Sequence, residues 1–464
     1  MIHPLNTKPP IREQCINESS LIIKSVDSIG DYRETQNLSG VYEDDSGLKT
    51  LVDKLLIEHS YDFTKLKGAS VLIKPNWVRH NVSETDSLCL ATHPRFILAV
   101  LSALLKHLPK KVLIADAPIQ GCEWDKLLPK YFYEEVNSLS AQYKVPISII
   151  DWRRRVLSTK NSTVRENIRS IDNYVLFDMG ISSYLEPITT RTPRFRVTNY
   201  DPDRLAESHR PGKHMYCISR EVFDVDYIIA LPKAKTHQKT GITNALKLLV
   251  GINGDKDFLP HHRIGGERLG GDCYPGGNLI LRLSEHLLDM ANRRIGSKMY
   301  RPLRIMSKLF WLSTSKTPKH SLAAAWHGND TTWRMVMDIN MIAKYGKSDG
   351  TISDKPQRDI LYICDGIIGG QGDGPLHPDP LPLGVVMVSE NPALMDTALA
   401  RLMGFDENKF PLLRAANEAF NSNNSRIMLN GLASSLDDLS KISVKTCPPP
   451  GWVDYLRIKD NPIG

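Results

Sequence analysis

The chain has 464 residues and a formal net charge of +7, with 41% apolar and 24% charged side chains. That balance is the composition of a folded globular protein and excludes a largely disordered one; the length accommodates two domains or one large α/β domain with insertions. Seven cysteines, none in a CxxC pair, argue against a zinc ribbon and fit reduced thiols in a cytosolic compartment. Met1–Ser20 lacks the apolar stretch of a signal peptide, and no segment reaches the roughly 20 uncharged apolar residues of a membrane span, so a soluble cytoplasmic protein is expected.

Short apolar runs alternate with helical patterns, as in βαβ units. Residues 1–60 read as an N-terminal extension with a first strand. Val71–Lys74 is a buried strand running into KPN, and Pro94–His107 a helix that Thr92 would cap, with Phe96, Ile97, Val100, Leu101 and Leu104 on one face. Strands follow at Lys111–Asp116 and Ile147–Ile150. Residues 153–220 form a middle subdomain with strands at Tyr174–Phe177 and Met215–Ile218. Asp226–Leu231 is a strand entering PKAKTH, and Gly241–Val250 a helix. Met290–Asn329 contains no Asp or Glu but eight Lys or Arg beside Phe310, Trp311 and Leu312, which makes 291–330 a basic helical insertion. Asp330 reads as the N-cap of the helix after it. Asp359–Asp365 is a strand leading into GIIGGQGDGP; a strand at Val385–Val388 and a helix at Pro392–Met403 complete the core. The fold expected is α/β: a mostly parallel, doubly wound sheet with helices on both faces, spanning 61–290 and 331–440, with a tail at 441–464.

Ligands of open parallel sheets bind outside the carboxyl ends of the strands, and the polar residues at these ends mark a candidate site. They are Lys74 and Asn76, Asp116, the series Lys233, Lys235 and His237, and Asp365. Alternation would put Lys233, Lys235 and His237 on one face, where their mutual repulsion calls for an anion and keeps His237 neutral; a solvated basic strand end is the plainer alternative. Gly369, Gly370, Gly372 and Gly374 suggest a loop whose N–H groups cradle an anion, a flexible turn being the alternative. Asn244 and Lys247, one turn into the next helix, reach the same place or are ordinary helix-surface polarity. The His261–His262 pair with nearby aspartates fits no standard zinc spacing, and magnesium on a phosphate is more plausible there than structural zinc.

IKPNW (73–77), IADAP (114–118), LPKAKTH followed by TGITNALKLLVG, DGIIGGQGDGPL (365–376) and LMGFD (402–406) together resemble an uncharacterised family, domain of unknown function 362, from about Val71 to Leu413. WHGNDTTWRM (326–335) resembles a subgroup associated with surface-polysaccharide gene clusters. Some members of that family carry iron–sulfur modules; this chain has no four-cysteine run to match, and no cluster is expected. The resemblance implies a fold and a site location but no reaction.

The expectation is an enzyme for a phosphorylated or carboxylated small metabolite, sugar-derived in one version, acting by acid/base-assisted group transfer, hydrolysis or proton transfer. Lys74, Lys233 and Lys235 would hold the anion, His237 would act as acid/base, and Asp116 or Asp365 would orient it or hold magnesium. The alternatives are a non-catalytic sensor or scaffold for an anion or lipid head group and, third, an iron–sulfur redox protein. The expected partners are an anionic small molecule, no nucleic acid, and a weak membrane-surface contact through 291–319.

Overall fold

The computed structural model describes residues 19–28, 37–158, 163–165, 168–314, 323–420 and 425–456. Its frame is a mixed sheet of twelve strands: β1 (Ser19–Ser25), β2 (Ser70–Pro75), β3 (Lys111–Asp116), β4 (Ile147–Asp151), β5 (Tyr227–Leu231), β6 (Lys233–His237), β7 (Gly241–Thr243), β8 (Ile360–Asp373), β9 (His377–Leu381), β10 (Val385–Ser389), β11 (Ser425–Leu429) and β12 (Leu432–Ser434). The main order is β12-β11-β1-β10-β8-β5-β2-β3-β4. From β8 to β4 every neighbour is parallel, so β2, β3 and β5 bring their carboxyl ends to one edge. The β10 strand runs antiparallel to both β8 and β1.

Strands buried on both faces read as continuous apolar runs, and Val71, Leu72 and Ile73 are all fully buried. Val71, Ile73, Val112, Ile114 and Ile229 pack under α1 (Asp45–His59), α2 (Pro94–Leu105) and α3 (Lys130–Tyr143). Next along the chain, α4 (Leu279–Asn292) and α5 (Tyr300–Thr314) pack on each other through Leu287, Ala291, Tyr300 and Leu303. Leu72, Ile228, Ala230, Tyr362 and Met387 belong to the opposite core with α6 (Thr332–Tyr345), α7 (Pro392–Leu402) and α8 (Pro411–Phe420). The middle subdomain adds a separate three-stranded sheet, with Lys213–Ser219 between Tyr174–Asp178 and His209–Arg210. Its Phe177, Tyr216 and Ile218 join this second core.

Several sequence expectations need correction. The glycine-rich run is not a loop: β8 continues through it to Asp373, with Lys235 paired to Gly370 on one side and Leu381 to Gly369 on the other. Glycine is required there by proximity. A Cβ on Gly369 would stand 2.7 Å from Leu383 Cδ1 and 2.9 Å from the Ala234 carbonyl oxygen. Gly241–Val250 does not form one helix. The chain turns back as β7, pairing Gly241 with His237, and only Ala245–Leu248 is α-helical, followed by a 3-10 turn at Leu249–Ile252. Gly241 has φ +82°, and a Cβ there would overlap the Phe410 ring, so the tight reversal wins over helical periodicity. His93, not Thr92, caps α2, while the Thr92 hydroxyl donates to the Leu231 carbonyl at 2.6 Å. Asn329, not Asp330, receives the free N–H groups at the start of α6, from Thr331 at 3.1 Å and Thr332 at 2.9 Å. Residues 1–18 of the N-terminal extension, and Lys316 and Lys319 of the basic insertion, lie outside the described residues.

Because the Gly369 neighbours include backbone, they cannot simply swing away. Gly369→Ala should cost about 1–3 kcal/mol, read as a lower denaturation midpoint by circular dichroism in urea.

Candidate functional site

At the carboxyl edge of β2 and β3 the apolar strand interiors give way to Lys74 and Asp116, both buried. Lys74 Nζ lies 2.8 Å from Asp116 Oδ1 and donates to the Pro75 carbonyl at 2.8 Å. Asp116 also accepts from the backbone N–H groups of Trp77 at 2.7 Å and Ala117 at 2.8 Å. Gly251 closes over the pair: a Cβ there would stand 2.1 Å from Asp116 Oδ1 and 2.6 Å from Lys74 Nζ.

Above this pair opens a cavity of about 910 Å³. Lys74, Lys235, Lys239, Lys247 and Lys256 line it, with Asp116 and Asp373 as the lining carboxylates. Lys256 donates to the Ala117 carbonyl at 2.7 Å, Lys235 to Leu90 and Lys239 to Ala323, so carbonyl dipoles rather than anions hold these ammonium groups. Burial is the first cause that lowers their pKa, and the other ammonium groups add to it for Lys235, Lys247 and Lys256. Lys235 and Lys247 are brought down to about 7, Lys239 and Lys256 to about 8. Lys247 is repelled by Lys256, Lys239 and Lys74 together, with no carboxylate among the causes. Two buried side-chain atoms in the wall, Asn76 Oδ1 and Thr243 Oγ1, have no hydrogen-bond partner.

Two imidazoles face the same space in opposite tautomers. His237 Nδ1 accepts from the backbone N–H groups of Lys239 at 3.0 Å and Thr240 at 3.2 Å, so its ring proton resides on Nε2. His261 Nδ1 lies 2.7 Å from the Leu259 carbonyl oxygen, which can only accept, so Nδ1 carries the proton and Nε2 keeps its lone pair. Burial, and then neighbouring lysines, hold both rings well below the ordinary histidine range and therefore neutral. The cavity thus holds one imidazole donor and one imidazole acceptor. His237, the expected acid/base, is the one with no free lone pair; His261 has it. No sequence signal separated His261 from its neighbour His262, because the tautomer is set by which backbone group the ring meets.

Lys233 and Asp365 do not line the cavity. They form a fully buried pair at 2.8 Å, with the Tyr42 hydroxyl donating to Asp365 at 2.6 Å and the His93 N–H at 3.0 Å. Lys233 pairs with Asp365 and Lys235 with Gly370, a shift in register taken up on the β8 side; one step along the strand from the buried Lys233–Asp365 pair, Lys235 reaches the Leu90 carbonyl and the cavity wall instead. Asp116, engaged by Lys74 and two N–H groups, has no hydrogen bond to His237 among the described residues. Asn244 sits in the core, accepting from the Cys364 thiol at 3.1 Å. Gly369 and Gly370 belong to the β8 ladder, and the Gly372 and Gly374 N–H groups donate to the carbonyls of Cys447 and Gly372, each at 2.8 Å, so no anion cradle forms there.

Metal-ligand spacing occurs at His262, Cys273 and Glu285, buried beside the cavity with ligand atoms within 4.8 Å of one another. Glu285 is already satisfied by the Gly265 N–H at 3.0 Å and the Tyr274 hydroxyl at 3.2 Å, and burial raises its pKa to about 7. Glu285 therefore has partners of its own, whereas His262 Nδ1 is buried without a hydrogen-bond partner among the described residues.

The family model of a domain of unknown function (DUF362) matches residues 153–401, more than half of the chain. The chain belongs to this family. The DUF362 match contains His237, His261 and the four lysines from Lys235 to Lys256, whereas Lys74, Asn76 and Asp116 precede it. A search of curated proteins finds no match. A crystal structure of a Thermotoga maritima protein is similar at 9% identity and a TM-score of 0.28, over 84% of this chain; the chain spans 59% of that protein.

If the DUF362 cavity is held open against its own charge, relieving that charge should stabilise the empty protein. Lys247→Met keeps the length of the side chain and removes the ammonium. It should raise Tm by about 2 °C at neutral pH, measured by differential scanning calorimetry.

Proposed function

We propose that the cavity binds a small molecule through a phosphate or comparable anionic group and catalyses acid/base-assisted chemistry on it. The observation that carries this reading is the ring of lysines around one space, three of them held by carbonyl oxygens and the ring offset by few carboxylates. Such a site costs folding free energy unless an anion occupies it. An anion seated among Lys235, Lys239, Lys247 and Lys256 would raise their pKa values, making each ammonium a stronger, charge-assisted donor. His237 Nε2–H would add a neutral donor, and Asn76 and Thr243 would supply partners for the rest of the ligand.

The base would be His261. Lysine charges are among the causes that hold its pKa down, and a bound anion neutralises those charges. Binding therefore restores basicity to Nε2 in the complex where a proton is to be removed. Group transfer, hydrolysis and proton transfer all use that arrangement. A phosphate ester of a polar metabolite, a sugar among them, fits the mixture of ammonium, amide and hydroxyl groups in the wall.

Two measurements test this. Isothermal titration with inorganic pyrophosphate at about pH 8, in buffers of differing ionisation enthalpy, should show uptake of about one proton per ligand, because free lysines with depressed pKa values become charged on binding. Affinity should fall as pH rises through 8 to 9, and Lys247→Met should weaken it about tenfold. Proton-neutral binding, or none, removes the reading. Once a turned-over phosphate ester is found, His261→Gln should reduce kcat by about 100-fold or more with Kd little changed. Equal losses in binding and turnover would assign His261 to ligand holding instead.

A further inference from the structure

The hairpin of α4 and α5 presents an apolar surface that nothing among the described residues covers. Its inner side is complete: Ser284 Oγ donates to the Ser307 carbonyl at 2.6 Å and Ser307 Oγ to the Ser284 carbonyl at 2.8 Å, tying the helices at their crossing. Toward the body of the protein, Leu281, Leu288 and Trp311 pack on Cys273 and Tyr274. Outward, Leu279, Ile280 and Leu283 of α4 are exposed, and so are Ile305, Met306, Leu309 and Leu312 of α5. Spacings of one, three and four residues place each set on one helical stripe. With Met299, this hairpin carries eight of the eighteen exposed large apolar side chains among the described residues, and Leu279 is 79% and Leu309 60% exposed.

Cations flank the stripe. Arg294, Lys298, Arg304 and Lys308 are exposed, and the sequence from Met290 to Asn329 contains no acid. The same helix also borders the cavity: Arg304, Ile305, Lys308 and Trp311 of α5 line it. Residues that are both exposed and cavity-lining lie where the cavity meets its surroundings, so the apolar stripe adjoins the mouth. Inward from the mouth the wall changes from Leu288, Ile305 and Trp311 to the lysine ring.

We infer that α4 and α5 seat the protein on an anionic bilayer, and that the ligand is the phosphate head of a membrane amphiphile drawn into the lysine ring with its apolar part left along Ile305 and Trp311. Apolar residues flanked by Arg and Lys are the surface that partitions into the headgroup region of anionic lipid. A second copy of the chain is the poorer occupant, because a self-complementary contact would bring two cationic rims together. The ligand half of this inference rests on the anion site proposed above; the docking half does not.

The experiment uses the full chain and vesicles of phosphatidylcholine with or without phosphatidylglycerol at about 0.15 M salt. Wild type should co-sediment at least about tenfold better with the anionic vesicles. The variant Met306→Glu/Leu309→Glu, which touches neither the cavity nor the core, should lose that binding while keeping its circular dichroism, melting temperature and pyrophosphate affinity. Wild type that ignores anionic vesicles, or a double variant that binds them equally well, overturns the docking surface. So does a dimer in sedimentation velocity that the double variant dissolves without any vesicle binding. For the ligand, monomeric octyl phosphate should bind at least about tenfold tighter than inorganic phosphate, since each buried methylene adds about 0.8 kcal/mol. Equal affinities overturn the amphiphile. Vesicle binding that survives when pyrophosphate fails to bind would sink the anion site alone.

Discussion

Like charges confined at the carboxyl edge of the sheet are the constraint around which this molecule is arranged. Lys235, Lys239, Lys247 and Lys256 surround one space, with Lys308 also in its wall, and the Lys74–Asp116 pair beneath them is the clearest ion pair of the site. Lys235, Lys239 and Lys256 are held by carbonyl oxygens, which orient an ammonium without cancelling it. Burial then lowers the cost by letting protons leave, and this is what pKa values near 7 and 8 express. A site built this way is a poor stabiliser of the fold and, in the function proposed above, a receptor for negative charge. The two properties have one origin.

The imidazoles follow from the same field. Neutral rings survive at physiological pH because burial and then the lysines disfavour a further positive charge. Each ring is then locked by backbone into one tautomer, so a donor and an acceptor stand in the same cavity without a proton being able to blur the distinction. A carboxylate beside either ring would have made it a cation and removed the difference.

Much of the frame was legible because buried parallel strands are written as apolar runs. VLIK, KVLIAD and DYIIAL each ended within a residue or two of the expected place, and Lys74, Asp116, Lys235 and His237 were legible as polar residues where such runs stop. Lys233 and Asp365 carried the same signal and belong elsewhere: an irregular step in the ladder between Lys233 and Lys235 is invisible in the sequence, as is Tyr42, which arrives from a distant segment to complete their pair. The glycines of GIIGGQGDGP look like a loop because glycine lacks strand propensity, yet Gly366, Gly369, Gly370 and Gly374 mark where neighbouring chain approaches too closely for a side chain. His261 was passed over for a different reason. Its chemistry depends on one carbonyl, and backbone partners leave no trace in residue type.

Trp311 stands on α5 between the outward stripe and the cavity wall, half-buried, and Trp77 lies on the inner side of the same cavity. Indole emission shifts with the polarity around the ring, so the protein carries its own optical gauge at the threshold it would use. Light from Trp311 would respond to lipid arriving from outside and to a guest entering from the mouth, whereas Trp77, fully buried, senses only the latter. Because the chain has seven tryptophans, comparing the emission of Trp311→Phe and Trp77→Phe chains would separate the two events.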